Sequence, residues 1–264
     1  MKSNPRPLAL VTGASSGIGA NLARELAKDG HDLILSARRV EPMQALAEEL
    51  KSLGAACTVI AADLSKSGGA AALVRDIEAR TLSVDVLINN AGLGDNGRFD
   101  QSDPQRVSEM LQVNVVALTE LTRLLLPPMV ARGKGRVMLL ASTAAFQPGP
   151  QMAVYCATKA YVLSLGEAIA FELRNSGVTV TTLCPGATET EFAEVAHAGS
   201  SALFKGLAPV MSASEVARLG YQGLKAGRGV VITGLVNQIM ATSSRLSPTP
   251  VSLRIANWMM TSGK

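Results

Sequence analysis

The sequence has 264 residues, 47% of them hydrophobic and 17% charged, with a net charge of +4. That balance suits one large α/β domain with room for an extensive core. Aromatics make up only 3%, and the Lys and Arg residues are scattered rather than gathered into a stripe, which argues against a nucleic-acid-binding face.

Strand and helix patterns alternate along the chain. Leu8-Ala9-Leu10-Val11 is an apolar strand that runs into Thr12–Gly19, read Thr-Gly-Ala-Ser-Ser-Gly-Ile-Gly, after which Ile18, Leu22 and Leu26 recur on one helical face. Strand, glycine-rich turn and helix in that order form the context of a phosphate-cradling loop. In this reading Gly13 takes backbone angles closed to other residues. Gly17 admits a ligand close to the chain, and Gly19 lets the helix pack on the strand. The helix N-terminus offers free N–H groups and a positive dipole end to a diphosphate.

A second strand is expected at Asp32–Ser36 and a helix over Pro42–Leu53, closed by Gly54. Cys57–Ala61 reads as the third strand, Ala70–Ala79 as a helix and Val84–Ile88 as the fourth strand. A long helix covers Pro104–Leu126. The fifth strand is Arg136–Ala141, a long helix Met152–Asn175 ends near Gly177, and the last strands are Val178–Leu183 and Gly229–Thr233. Strands this uniformly apolar belong in a parallel sheet covered on both faces. With right-handed crossovers the pattern predicts an α/β, Rossmann-like doubly wound parallel sheet of about seven strands. No linker or repeat divides the chain, so residues 1–264 are expected to form a single dinucleotide-binding and catalytic domain. Within it, 188–211 is a substrate lid, apolar at Phe192, Leu203, Phe204 and Leu207, and 248–264 is an apolar-ended tail.

Met1–Pro7 is polar with no signal-peptide core behind it. The nearest membrane-like run, Leu118–Ala131, holds Glu120 and Arg123 and is broken at Pro127-Pro128. Cys57, Cys156 and Cys184 form no metal or redox pattern and read as reduced thiols. A cytoplasmic protein is expected. The tail at Val251–Met260 is expected to pack on its own core or on a second subunit rather than on a membrane.

Several side chains in this frame can carry chemistry. Tyr155 and Lys159 sit one turn apart at the start of a helix. A phenol titrates near pH 10, and a neighbouring ammonium favours the phenolate, so the pair can exchange a proton near neutrality. Ser142 follows the fifth strand, at the sheet edge where ligands bind. Asn89-Asn90-Ala91-Gly92 closes the fourth strand at the same edge. Asn114 is an amide inside an apolar helical face and needs partners there.

The ordered set Thr-Gly-x-x-x-Gly-x-Gly, Asn-Asn-Ala-Gly, Asn, Ser, Tyr-x-x-x-Lys and Pro-Gly resembles the short-chain dehydrogenase/reductase family over roughly Leu8 to Thr233. Ala37-Arg38-Arg39, Pro148-Gly149-Pro150 and Met129–Gly133 resemble its bacterial-type NADP(H)-dependent branch. The resemblance implies a carbonyl/alcohol oxidoreductase with Tyr155 as acid/base. Lys159 would lower the pKa of Tyr155 and hold the nicotinamide ribose, Ser142 would orient the substrate oxygen, and Asn114 would support a proton relay. It also implies cofactor contacts at Gly13, Ser15, Ser16, Gly17, Ile18 and Gly19, at Asp63 and Leu64, and at Asn90, Ala91 and Gly92. Tyr155 and Lys159, then Pro185, Gly186, Thr188 and Thr190, complete that set. A dinucleotide sensor without turnover is the alternative; it would have no need of Ser142, Tyr155 and Lys159 together.

NADP(H) is expected over NAD(H). An NAD site places an acid at the end of the second strand, but here the chain reads Leu35-Ser36-Ala37-Arg38-Arg39 with no acid before Glu41. Arg38 or Arg39 can offer forked donors to a 2′-phosphate. The expected partners are a small apolar, acyl- or steroid-like carbonyl or alcohol, and a second copy in a homodimer or homotetramer. That assembly is inferred from Leu118, Leu121, Leu125, Leu163 and Leu165 on the two long helices.

Overall fold

Alternation within β1 (Leu8–Thr12) builds the core on both sides of the sheet: Leu10 faces one apolar layer, Ala9 and Val11 the other. The computed structural model describes residues 6–191 and 210–261. β1 is joined in a parallel sheet by β2 (Asp32–Ala37), β3 (Cys57–Ala61), β4 (Val86–Asn89), β5 (Gly135–Leu140) and β6 (Val178–Cys184). A later strand, β9 (Val230–Ile232), closes it, and the order is β3-β2-β1-β4-β5-β6-β9. The strand order reverses between β1 and β4, so the crevice at their C-terminal ends is the place where such sheets bind ligands.

On one face lie α3 (Gly69–Ala79), α5 (Leu118–Ala131) and α6 (Ala153–Glu172). On the other lie α1 (Gly17–Lys28), α2 (Val40–Lys51) and α7 (Ala213–Lys225). Helix α7 was not among the sequence expectations. Its signal is the Ser212-to-Glu215 spacing of a capping residue, and the Ser212 hydroxyl accepts from the Glu215 N–H at 3.2 Å. The segment 188–211 is pinned at its two ends by a two-stranded pair, β7 (Thr188–Glu189) with β8 (Met211–Ser212). Phe192, Leu203, Phe204 and Leu207 fall outside the described residues. The C-terminal part is more ordered than a tail: α8 (Leu235–Leu246) and α9 (Thr249–Thr261) are helical, and Ser252 and Ala256 are buried.

The long helix expected over Pro104–Leu126 differs in two ways. It is three pieces, α4 (Pro104–Leu111), a π-helical segment Gln112–Ala117, and α5. It also continues through Pro127 and Pro128, where a break was expected. Both prolines are exposed, as are Arg123 and Leu124, whose carbonyls lose their helical donors; water can serve those carbonyls, so the helix survives. The leucines expected on an outer face also differ. Leu118, Leu121, Leu125 and Leu163 are buried in the core and Leu165 is half-buried, while Leu111, Val116, Leu124, Tyr161 and Phe171 are exposed.

Helix α6 lies hard against the sheet at Gly166, where a Cβ would strike the Thr182 hydroxyl and come 3.3 Å from Leu139 Cδ1. Gly166→Ala should destabilise by about 1–3 kcal/mol, lowering Tm by roughly 2–4 °C per kcal/mol. A Gly97→Ala control, with nothing within 4 Å of the new Cβ, should leave the thermal melt unchanged.

Candidate active site

The glycine loop is built as its residue types demand. Gly13 and Gly17 take φ of +63° and +57°, which only glycine adopts cheaply. A Cβ at Gly13 would come 2.8 Å from Asn90 Nδ2, and one at Gly19 would collide with that atom and with the Gly13 carbonyl. Asn90 braces the loop: its Nδ2 donates to the carbonyls of Thr12 at 2.9 Å and Gly13 at 3.2 Å. In return the Thr12 hydroxyl accepts from the Asn90 and Ala91 N–H groups at 3.0 and 3.1 Å. Asn89 points the other way, donating to Thr122 on α5 at 2.9 Å.

The second cluster forms where β5 ends and α6 begins. Ser142 caps a short 3₁₀ turn, its hydroxyl accepting from the Ala144 N–H at 3.1 Å and lying 3.4 Å from the Pro185 carbonyl. The Tyr155 phenol faces the Ser142 hydroxyl: burial pushes the phenol above its ordinary pKa, and Ser142 partly offsets this. Lys159 is 3% exposed, and burial lowers its ammonium to about 8. Its Nζ donates to the Leu140 carbonyl at 2.7 Å and stands 5.7 Å from the Tyr155 ring centre. Desolvation is the largest influence on the phenol, the Ser142 hydroxyl opposes it, and the ammonium one turn away is held by the Leu140 carbonyl.

Asn114 lies in the π-helical segment, 1% exposed. Its Nδ2 donates to the Leu93 carbonyl at 2.8 Å and to the Thr158 hydroxyl at 3.0 Å, and its Oδ1 accepts from the Leu93 N–H at 2.8 Å. Thr158 in turn donates to the Tyr155 carbonyl at 2.7 Å. A Cβ at Gly92 would sit 3.4 Å from Asn114 Oδ1 and 3.5 Å from Lys159 Nζ, so the glycine keeps open the space between them.

At the opposite end stand the residues after β2. Arg39 reaches the glycine loop, its Nη2 lying 3.4 Å from Ser15 Oγ, 3.3 Å from Ser16 Oγ and 2.7 Å from Glu191 Oε2. Arg38 is exposed, and its charge acts on Asp63, whose carboxylate is held below its usual range first by the Ser65 hydroxyl. Leu64 is buried beside it.

A single cavity of about 700 Å³ connects the two ends, a volume suited to a ligand larger than a substrate alone. Of the expected residues, Gly13 and Ser15–Ile18, Arg38 and Arg39, Asp63 and Leu64, and Asn90–Gly92 line it. So do Ser142, Tyr155, Lys159, Pro185, Gly186, Thr188 and Thr190. Gly19 and Asn114 stand behind its wall. Three groups went unforeseen. Thr12 and Thr158 act through backbone and amide partners that spacing does not reveal. Glu191 pairs across 152 residues of sequence. The wall formed by Asn237, Met240 and Ala241 comes from α8.

A family model for short chain dehydrogenases matches residues 7–200. The ketoacyl reductase HetN from Nostoc sp. is 31% identical over 255 residues, 94% of this chain and 88% of that protein. Among solved structures, a short-chain dehydrogenase from Sphingobium yanoikuyae in complex with NADPH superposes with a TM-score of 0.79 at 34% identity, covering 90% of this chain and 92% of that one. The bulky-bulky ketone specific alcohol dehydrogenase from Comamonas testosteroni gives 0.76 at 31% identity, covering 91% and 92%. The chain thus belongs to the short-chain dehydrogenase family and is an oxidoreductase of CH–OH and C=O groups that works with a nicotinamide dinucleotide.

Proposed function

We propose that the protein is an NADP(H)-dependent reductase of bulky, apolar ketones or acyl carbonyls, with Ser142, Tyr155, Lys159 and Asn114 as its working set. The observation that carries this is the Ser142–Tyr155 hydroxyl pair, which faces one end of the cavity while Arg39 and two serines face the other. The glycine loop, with its close-approach positions and helix N-terminus, fits a dinucleotide diphosphate.

When bound, the cofactor supplies the hydride. The Ser142 and Tyr155 hydroxyls hold the substrate oxygen and bind it more tightly as it gains negative charge, the condition for catalysis. Tyr155, kept protonated by burial, donates its phenolic proton to that oxygen and takes it back in the oxidative direction. Lys159 adds positive charge near Tyr155 and would hold the nicotinamide ribose of a bound cofactor. Asn114 positions Thr158 and Leu93 behind the pair and borders the space through which a proton is replaced. The apolar preference is supported by Met152, Met240, Ala241, Ile255 and Ala256 on the cavity wall, and by the substrate classes named for the two relatives above. A homodimer or homotetramer through the outer faces of α5, the π-helical segment before it and α6 is supported by Leu124, Val116 and Tyr161, which remain exposed there.

Tyr155→Phe should lower turnover about 10²–10⁴-fold while NADPH still binds, as read by steady-state kinetics against a ketone panel and by cofactor fluorescence. A variant keeping a tenth of the rate would remove Tyr155 from its role.

Because burial lowers Lys159 to about 8, its charge is present below that pH and lost above it. The reductive kcat/KM should be level near neutrality and decline above about pH 8, and Lys159→Met should abolish that alkaline limb along with most of the activity.

Arg39→Ala should weaken NADPH roughly tenfold, the scale of a charged hydrogen bond, with NADH unaffected and Arg38→Ala less damaging. Equal wild-type affinity for the two cofactors would defeat the NADP(H) assignment.

A further inference from the structure

Arg39, Ser15 and Ser16 converge at the glycine-loop end of the cavity, and a carboxylate of the chain itself lies among them. Glu191 follows β7, and its Oε2 accepts from Arg39 Nη2 at 2.7 Å. Arg39 first and the Ser16 hydroxyl second hold this carboxylate below its usual range. The preceding residue adds an independent contact: a Cβ on Gly17 would come 3.1 Å from Thr190 Cγ2. Two successive side chains therefore lie across the glycine loop.

We propose that Glu191 is a tethered stand-in for the 2′-phosphate of NADP(H): it occupies the Arg39–Ser15–Ser16 corner until that phosphate displaces it, and so sets how sharply the protein separates NADP(H) from NAD(H). This rests on the NADP(H) reading above. A guanidinium fork receives a carboxylate or a phosphate equally well in geometry, but the phosphate brings more charge, about −1.5 to −2, and more acceptors. The two side chains of the ion pair are 52% and 53% exposed, and exposed pairs are weak, so the clasp yields to the stronger anion. NAD(H) carries a neutral hydroxyl at this position and has nothing with which to displace Glu191. Glu191 thus costs affinity for the phosphorylated cofactor alone.

The test is equilibrium binding, independent of turnover. NADPH and NADH are titrated by fluorescence, and 2′,5′-ADP and 5′-ADP by calorimetry, into wild type, Glu191→Gln, Arg39→Ala and the double variant. Glu191→Gln should tighten NADPH and 2′,5′-ADP about two- to fivefold, the scale of an exposed ion pair, and leave NADH and 5′-ADP unchanged. The gain should vanish in the Arg39→Ala background, since the two residues then no longer compete. Four results would overturn the proposal: no gain, an equal gain for all four probes, a gain that persists without Arg39, or a loss of NADH binding. The last would make Glu191 an acceptor for ribose hydroxyls. If Arg39→Ala weakens NADPH while Glu191→Gln changes nothing, only this inference falls; if Arg39→Ala leaves NADPH untouched, the NADP(H) reading falls with it.

Discussion

The site depends on one amide. Asn90 holds the carbonyls of Thr12 and Gly13 with its side chain, and Thr12 holds the backbone of Asn90 and Ala91 with its hydroxyl. These bonds fasten the end of β1 to the end of β4 at the point where the strand order reverses. The position of the glycine loop, the entry of α1 and the width of the crevice all follow from that closure. Because these groups are buried or nearly so, a lost partner would leave a desolvated polar atom, which is costly.

Desolvation also governs the other end of the cavity. Tyr155 and Lys159 are both pushed by burial toward their neutral forms. Both effects suit the proposed proton transfer, in which the protonated phenol is the donor. The sheet edge supplies this environment: β5 ends in apolar residues, the chain turns at Ser142, and α6 brings Tyr155 and Lys159 in on one face.

Much of this was legible in the sequence because it is local. The seven-strand order of elements, the glycine loop and the one-turn spacing of Tyr155 and Lys159 each need only a few neighbouring residues to be read. What escaped depended on distance or on tertiary compensation. Helix α7 has a capping signal at Ser212, but it follows a run of sequence with little strand or helix periodicity. Pro127 and Pro128 read as the end of a helix, yet α5 runs through them where the chain is exposed to solvent. By pattern alone Leu118, Leu121 and Leu125 read as surplus apolar surface, whereas they fill the layer against the sheet. The partner of Arg39 lies far along the chain, so no local pattern could distinguish Arg39 from Arg38.

The π-helical segment Gln112–Ala117 has a consequence for how this chain can vary. A π-bulge absorbs one extra residue within a turn, where an unabsorbed insertion would rotate everything after it by about 100°. Here the wider turn falls around Asn114, between α4 and α5. Fold and site are in this sense separately encoded in the same helix. A lineage that deleted one residue here could keep its packing and every other motif, yet lose the local geometry by which Asn114 reaches Leu93 and Thr158.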